Sequence, residues 1–429
     1  MGQTISEKIL AKNSGKSVVS PGDLLQAKID LIICHEVTTP PALKMLREKG
    51  IEKVFDPESI VVTPDHFVPN KDIASAQLAK ELRQWVREQG IENYFEIGRH
   101  GICHAIVPEQ GFVQPGTIVV GADSHTCTHG AFGAFATGIG STDLAFALAT
   151  GELWFRVPAT QQFFLQGSLQ KGVFAKDVIL KIIGEISVSG SRDRAMEFSG
   201  EIVDGFEMDE RMTLCNMAIE AGAKVGLCQS DGKTLDFLQR AHERFGQKFP
   251  RHDLQMQSDG NANFEKTFAF DFSKLEPTVA CPNLPENVES AAKLEKENLQ
   301  IDQAFLGSCT NGRLSDLRLA AGILKGKKVA PGVRMIVIPA TCEIYQEAMN
   351  EGLLAIFANA GCAISTPTCG PCLGGHMGIL AEGERCISST NRNFTGRMGH
   401  SASEVFLASP ATVAASAIAG KIADPRSFM

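Results

Sequence analysis

The chain has 429 residues, of which 44% are hydrophobic and 21% charged, and this composition predicts a soluble globular protein of two or three domains. Its 41 basic and 49 acidic residues give a net charge of −8, which argues against non-specific binding to nucleic acid or to an anionic membrane. Twelve cysteines are too few for a disulfide scaffold, and no apolar run is long enough to span a membrane.

The N-terminal residues lack the apolar segment of a signal peptide. We therefore expect a cytoplasmic protein whose cysteines are kept reduced.

Short β-rich runs alternate with helical stretches along the first part of the chain. Strands are predicted at 30–34, 60–63 and 118–120, and helices at 74–89 and 143–155. The alternation favours an α/β architecture. We predict a first domain over 1–158, because Arg156-Val157-Pro158 closes the pattern.

The α/β pattern continues to the end of the chain. The middle part predicts strands at 162–166 and 268–272 and helices at 176–186 and 213–221. The last part predicts strands at 303–306 and 334–339 and helices at 314–324, 344–352 and 410–419. Three prolines and a charged run between 277 and 297 indicate a linker, so we predict domains over 159–283 and 284–429.

Acidic residues and histidines follow the predicted strands of the first domain. Asp65-His66 follows one strand, Asp123-Ser124-His125 follows another, and His104 lies in a glycine-bounded turn. Strand ends are where α/β folds place ligand sites, and a carboxylate can orient an imidazole and stabilise its charged form. These residues are candidates for acid–base chemistry.

Two cysteine motifs occur in the last domain. Cys309 lies in GSCTNGR (307–313), between a strand and a helix, where free N–H groups favour negative charge. Cys369 and Cys372 form a C-x-x-C turn. The residues alone leave four interpretations open: a redox pair, a zinc site with His376 as a further ligand, an iron–sulfur cluster held by all three cysteines, or a structural pair.

Two arginines lie close together near the C-terminus. Arg392 and Arg397 flank a glycine-containing turn, and paired guanidinium groups suit bidentate binding of a carboxylate.

Together these motifs resemble the aconitase superfamily of iron–sulfur hydro-lyases. The motifs are PDH (64–66), ADSHT (122–126), GSCTNGR (307–313), TCGPC (368–372) and SSTNRNFTGR (388–397). The similarity extends over essentially the whole chain. It implies an α/β protein with three α/β/α domains around a central iron–sulfur cluster, without the swivelling fourth domain of single-chain aconitases.

The resemblance also implies residue roles. One [4Fe–4S] cluster would be held by Cys309, Cys369 and Cys372, which leaves one iron open to act as a Lewis acid. The catalytic residues would be Asp65, His66, His104, Asp123, His125 and Glu197, the last as the glutamate that orients a histidine. Substrate contacts would come from His35, Ser124, Asn391, Arg392 and Arg397. His35 stands where aconitase has a glutamine, so its role is the least defined.

The implied activity is the isomerisation of 2-isopropylmalate and 3-isopropylmalate by dehydration and rehydration through 2-isopropylmaleate, a step of leucine biosynthesis. Homoaconitate, citramalate and dimethylmalate are alternative substrates for the same chemistry. A thiol–disulfide oxidoreductase using Cys369 and Cys372 is the alternative of another class.

The resemblance further implies a partner. In this branch of the superfamily the fourth domain is a separate small subunit. It would supply the serine base and further substrate contacts, within a heterodimer or heterotetramer.

Overall fold

Three main sheets follow one another along the chain in the computed structural model, which describes residues 2–246 and 255–429. We call the residues around them the first unit (2–158), the middle unit (160–271) and the third unit (278–429). None of the described helices is both long enough and apolar enough to cross a membrane.

The first unit contains a four-stranded parallel sheet with the order β3-β2-β4-β5, and a separate antiparallel pair, β1 and β6. Its helices are α1 (Ile5–Asn13), α2 (Thr39–Glu48), α3 (Ile73–Gln89), α4 (Cys103–Glu109) and α5 (Ser141–Thr150). Its strands are β1 (Leu24–Lys28), β2 (Leu31–Cys34), β3 (Ile60–Val62), β4 (Ile118–Gly121), β5 (Phe135–Gly138) and β6 (Glu152–Arg156).

The helix predicted over 143–155 is wrong at its C-terminal end. Gly151 adopts the left-handed conformation, with φ at 70°, and ends α5 after Thr150. The following residues form β6, whose alternating burial is the pattern of a strand rather than of a helix.

The middle unit contains four parallel strands in the order β10-β7-β8-β9. Its strands are β7 (Thr160–Gln166), β8 (Ala195–Ser199), β9 (Val225–Cys228) and β10 (Lys266–Asp271), and its helices are α6 (Ala175–Ile186), α7 (Glu201–Gly205), α8 (Met208–Asn216) and α9 (Gly232–Phe245). The helix predicted over 213–221 is the end of α8 followed by a 3₁₀ turn, Met217–Ala221, and it stops at left-handed Gly222 as expected.

The third unit contains a seven-stranded sheet in the order β12-β11-β17-β16-β13-β14-β15, parallel except at one edge, where β11 pairs antiparallel with both β12 and β17. The strands are β11 (Thr278–Ala280), β12 (Val288–Ser290), β13 (Gln303–Leu306), β14 (Arg334–Val337), β15 (Ala363–Ile364), β16 (Arg385–Ser388) and β17 (Glu404–Leu407). The helices are α10 (Ala291–Glu297), α11 (Leu314–Leu324), α12 (Cys342–Asn350), α13 (Leu353–Ala360) and α14 (Pro410–Ala419).

The stretch predicted as a linker therefore holds two strands and a helix. Because β11 precedes residue 284 and yet pairs within the third sheet, we propose the second domain boundary between residues 271 and 278. The boundary at 158/159 remains our proposal for the first.

One buried apolar cluster joins the three units. It includes Val119 of β4, Phe163 of β7 and Phe305 of β13, each of which is fully buried. Separating the units would expose this cluster to water, so the junction where the predicted site residues meet is held by the hydrophobic effect.

Candidate active site

A small cavity of about 30 Å³ lies where loops of the first and third units face each other. The loops after β3, β4 and β13 all reach it, as expected for the carboxyl ends of parallel strands. Its lining is Asp65, His66, Ile102, Cys103, His104, Asp123, His125, Ser308, Cys309, Cys369, Cys372, Leu373 and Arg397. Histidines and carboxylates thus line one small space together with four cysteines, three of which are the predicted cluster ligands.

The Asp65 carboxylate is fully buried and bonds the His66 ring. Its Oδ1 contacts His66 Nδ1, and its Oδ2 accepts the backbone N–H of Cys103 at 2.7 Å. Burial acts to raise the pKa of Asp65, but His66 outweighs it and lowers this pKa to about 2. Burial likewise opposes the charge on His66, yet Asp65 and Asp123 raise the pKa of His66 well above its ordinary value. The pair is therefore a carboxylate and an imidazolium at neutral pH.

Glu36 fixes the Asp65-His66 loop through hydrogen bonds to its backbone. Its carboxylate accepts the backbone N–H groups of Asp65, His66 and Phe67 at 3.0, 2.8 and 2.6 Å. His35 stacks on His66 with ring centroids 4.4 Å apart, and burial lowers the pKa of His35 to about 4, so this second ring is neutral.

Asp123 joins the remaining histidines. Its Oδ1 accepts from His104 Nε2 at 2.9 Å and from the backbone N–H of His125 at 2.7 Å, and its Oδ2 lies 3.6 Å from His66 Nε2. Burial would raise the pKa of Asp123, but hydrogen bonds from these groups hold it well below its ordinary value. Asp123 is the shared anion of the histidine set.

The glutamate that the structure pairs with a histidine is Glu220, whereas Glu197, predicted for this role, contacts a serine. His125 Nε2 lies 2.9 Å from Glu220 Oε1, and Arg392 Nε donates to the same carboxylate at 3.0 Å. Glu197, on β8, accepts instead from Ser258 Oγ at 2.8 Å. Its motif lies at a strand end, but that strand belongs to the middle sheet.

The three predicted ligand cysteines converge on the cavity. Cys309, Cys369 and Cys372 are each buried. Cys309 Sγ accepts from two amides, Asn216 Nδ2 at 3.2 Å and Asn391 Nδ2 at 3.4 Å. Amide donors stabilise a thiolate, whereas burial and the neighbouring sulfur of Cys372 raise the pKa of the Cys309 thiol to about 11. These buried cysteine thiols therefore need a bound metal cation to lose their protons and become thiolates.

The spacing of the sulfurs separates two kinds of metal centre. Among the described residues, one group of potential ligands lies with all its ligand atoms within 4.8 Å of one another, and it contains no cysteine. One tetrahedral zinc ion would hold its sulfurs closer than this, about 3.8 Å apart. Three sulfurs that do not form one such close group suit ligands of separate irons in a cluster better than ligands of one zinc ion. His376, the further zinc ligand considered above, instead bonds the Pro69 carbonyl at 2.9 Å.

That closely spaced group is His35, Glu36, Asp65 and His66. Its carboxylates already accept backbone N–H groups and contact His66, as described above. We therefore interpret it as a hydrogen-bonded support for the loop and not as a metal site.

The other predicted substrate contacts lie at the edge of the cavity. Arg397 lines it, and its Nε is buried without a hydrogen-bond partner among the described residues. Asn391 bonds Cys309, and Ser124 begins the turn that carries His125. Arg392 donates to Glu220, so it is fixed within the protein. Arg397, in contrast, keeps an N–H donor that a ligand can use.

Sequence reasoning missed Glu36, Asn216 and Glu220. Asn216 is fully buried, and its Oδ1 accepts from Thr310 Oγ1 and Asn391 Nδ2, each at 3.1 Å. A signal was present, because Asn216 and Glu220 are polar residues four apart within an otherwise apolar helical stretch. Nothing local, however, shows that this stretch faces Cys309.

Comparison with known proteins agrees with the geometry. The model of the aconitase family (aconitate hydratase) matches residues 7–420. A 3-isopropylmalate dehydratase large subunit from Moorella thermoacetica is 55% identical over 426 residues, with 99% of each chain covered. Large subunit 1 of the same enzyme from Pyrococcus furiosus is 54% identical, covering 99% of this chain and 98% of the relative.

A solved structure supports the fold. The crystal structure of holo aconitase X from Thermococcus kodakaraensis superposes with a TM-score of 0.50 at 14% identity, over 86% of this chain and 84% of that one. The aconitase-like α/β architecture expected from the motifs is thereby confirmed.

The raised pKa of Glu197 leads us to expect that the free energy of unfolding depends on pH through this group. Burial raises its pKa from 4.5 to about 7. Between these pH values the native protein keeps a proton that the unfolded chain releases, so this group's contribution to stability falls as pH rises through the window. Relative to the wild type, Glu197→Gln should gain on the order of 2 kcal/mol between about pH 4.5 and about pH 8.

Urea unfolding at both pH values measures this difference. Glu185→Gln is the matched control, because the Glu185 side chain is half exposed. Equal pH dependence in the two variants would contradict the assignment.

Proposed function

Because this chain belongs to the aconitase family, we propose that it acts as the large subunit of a 3-isopropylmalate dehydratase, a hydro-lyase of leucine biosynthesis. Full-length identity of 54–55% to curated large subunits supports this function over the other substrates and over a thiol–disulfide oxidoreductase. The observation that carries the chemistry is His66, an imidazolium between two carboxylates at a cavity that the three predicted ligand cysteines also line.

The residues suit a [4Fe–4S] cluster held by Cys309, Cys369 and Cys372, with one iron free of cysteine. When bound, the cluster supplies a Lewis acid that polarises the substrate hydroxyl. Two asparagine amides aimed at Cys309 support this assignment, because N–H donors to sulfur tune such clusters.

His66 is the proposed acid for the departing hydroxyl. Its Nδ1 is occupied by Asp65, whereas Nε2 lies on the Asp123 side of the cavity, 3.6 Å from the nearest carboxylate oxygen. A proton leaving Nε2 would pass to the hydroxyl as the C–O bond breaks, and Asp65 would keep the ring in the tautomer that can take it back. His104, Asp123 and His125 are proposed to complete the acid–base set.

Substrate carboxylates need a fixed cationic partner. We assign this role first to Arg397, because its buried Nε has a donor left over, and second to Arg392, which Glu220 orients. Ser124, Asn391 and His35 are proposed as further contacts. Orientation of the two carboxylates sets which carbon loses the hydroxyl and which receives the water.

The serine base is proposed to come from a small subunit. The curated relatives are named as large subunits, so a second chain is part of this proposal, in a heterodimer or heterotetramer. All twelve cysteines are free, which suits the reducing cytoplasm that we propose as the location.

Reconstitution tests the function directly. The chain, purified without oxygen and combined with its small subunit, should contain about four irons and interconvert 2- and 3-isopropylmalate faster than homoaconitate, citramalate or dimethylmalate. The chain alone should bind iron without turnover. A colourless chain with one zinc, or turnover without the partner, would overturn the corresponding part.

Cys369→Ser should abolish both the visible colour and the hydro-lyase activity, since a serine hydroxyl does not replace a thiolate ligand. Iron analysis and a visible spectrum measure the loss. Cys362→Ser is the control, because Cys362 lies in the partly buried surface before β15. An intact cluster in Cys369→Ser would contradict the ligand set.

Asp65→Asn should lower kcat by about 100-fold and move the basic limb of its pH profile to lower pH by about one unit or more. The reason is that Asp65 is the largest source of the raised pKa of His66. Asp193→Asn serves as the control, because Asp193 is exposed and its φ of 59° suits asparagine. An unchanged basic limb would exclude His66 as the acid.

A further inference from the structure

Lys176 is a lysine buried to 1% exposure at the start of α6, and the chemistry proposed above does not use it. Its Nζ donates to the carbonyls of Ser389 at 2.8 Å and Thr390 at 2.5 Å, and to Asn311 Oδ1 at 3.4 Å. A buried ammonium group is costly to desolvate, so its retention needs a reason.

The hydrogen bonds around Lys176 Nζ suit the charged form of the group. Asn311 donates its Nδ2 to Thr213 Oγ1 and Asp316 Oδ1, so its Oδ1 faces Lys176 as an acceptor. Three acceptors match the three N–H bonds of an ammonium, whereas a neutral amine has two. Burial lowers the pKa of Lys176 to about 7, and Cys309, as a thiolate, is the largest of the groups that oppose this shift.

The three acceptors belong to the two loops that build the third unit's half of the site. Asn311 lies two residues after Cys309, and Ser389-Thr390 directly precede Asn391-Arg392. The neighbouring Asp177 fixes α6 itself, because its carboxylate accepts the backbone N–H of Thr278 at 2.7 Å and of Phe174 at 2.8 Å. One helix end therefore fixes both loops.

We propose that Lys176 is a positioning residue that joins the Cys309 loop to the Asn391-Arg392 loop and places an ammonium group against the Cys309 loop. The effect of that charge on a cluster rests on the proposed function, whereas the link between the loops concerns the chain without its cluster. Lys176 acts through the loops and is not among the residues that line the cavity.

The loop contact is tested on the full chain without cluster. Lys176→Met keeps the length of the side chain and removes the charge and all three donors, and Lys181→Met is the matched control on the exposed side of α6, where Lys181 pairs with Glu185. Amide hydrogen exchange in 307–313 and in 388–397 should rise together, by about tenfold or more, in the first variant and in neither segment in the second. Unchanged amide hydrogen exchange, or a rise in one segment alone, would contradict the proposed link between the two loops.

The charge is tested on the reconstituted two-subunit enzyme. Lys176→Met should shift the cluster potential to a more negative value, because removing a nearby positive charge disfavours addition of an electron, and should release iron to a chelator faster than Lys181→Met. KM should rise with kcat lowered less, since the arginine loop is displaced. An unchanged potential and iron release would overturn the charge role.

Lys176→Gln is the control for misfolding of Lys176→Met, because glutamine keeps a polar group with two N–H donors in the same space. It should give an intermediate exchange rate and the same potential shift as Lys176→Met. If the wild-type enzyme bound no cluster, the proposed function would fail, while the exchange measurement would still decide the loop contact.

Discussion

The buried carboxylate of Asp65 is the constraint on which the site depends. An ionised group with no exposed surface has to be compensated on every side. Asp65 achieves this with the His66 ring and the Cys103 amide. Its backbone carbonyl accepts from the amide of Cys369 at 2.9 Å and from Thr368 Oγ1 at 3.1 Å, and both donors belong to the turn that carries the cysteine pair. The acid–base loop and the cysteine loop therefore share one residue, and neither can move without the other.

The middle unit acts on the site through a few buried polar side chains. Asn216 reaches Cys309 and Asn391, Glu220 reaches His125 and Arg392, and Lys176 reaches the carbonyls before Asn391. Each links loops that belong to another sheet. Because an unpaired polar group in this buried region would cost free energy, these contacts fix the relative position of the units more closely than apolar packing alone. The apolar cluster holds the units together, and the polar contacts fix their relative positions.

Local patterns were enough for most of the fold and for the residues at strand ends. The helix over Leu314–Leu324 and the strand over Gln303–Leu306 have the predicted bounds, because periodicity and caps are local. Strand ends also pointed to Asp65 and Asp123, which the structure places at one cavity. Glu220 could not be predicted from local sequence, because its contact with His125 joins residues 95 positions apart. Glu197 was named through the resemblance alone, and the structure pairs His125 with Glu220 by an equally long-range contact.

The order of the site residues along the chain has a consequence for biosynthesis. Asp65, His104 and Asp123 leave the ribosome early, with the whole first sheet, whereas Cys369 and Cys372 follow after more than four-fifths of the polypeptide has been made. Units of a multidomain chain generally fold in the order of synthesis. The charged half of the cavity can therefore form around its own ion pairs while the cysteine half does not yet exist. A cluster that needed all three cysteines could therefore assemble only late in synthesis, because the nascent chain presents no complete thiol set to metal ions before then.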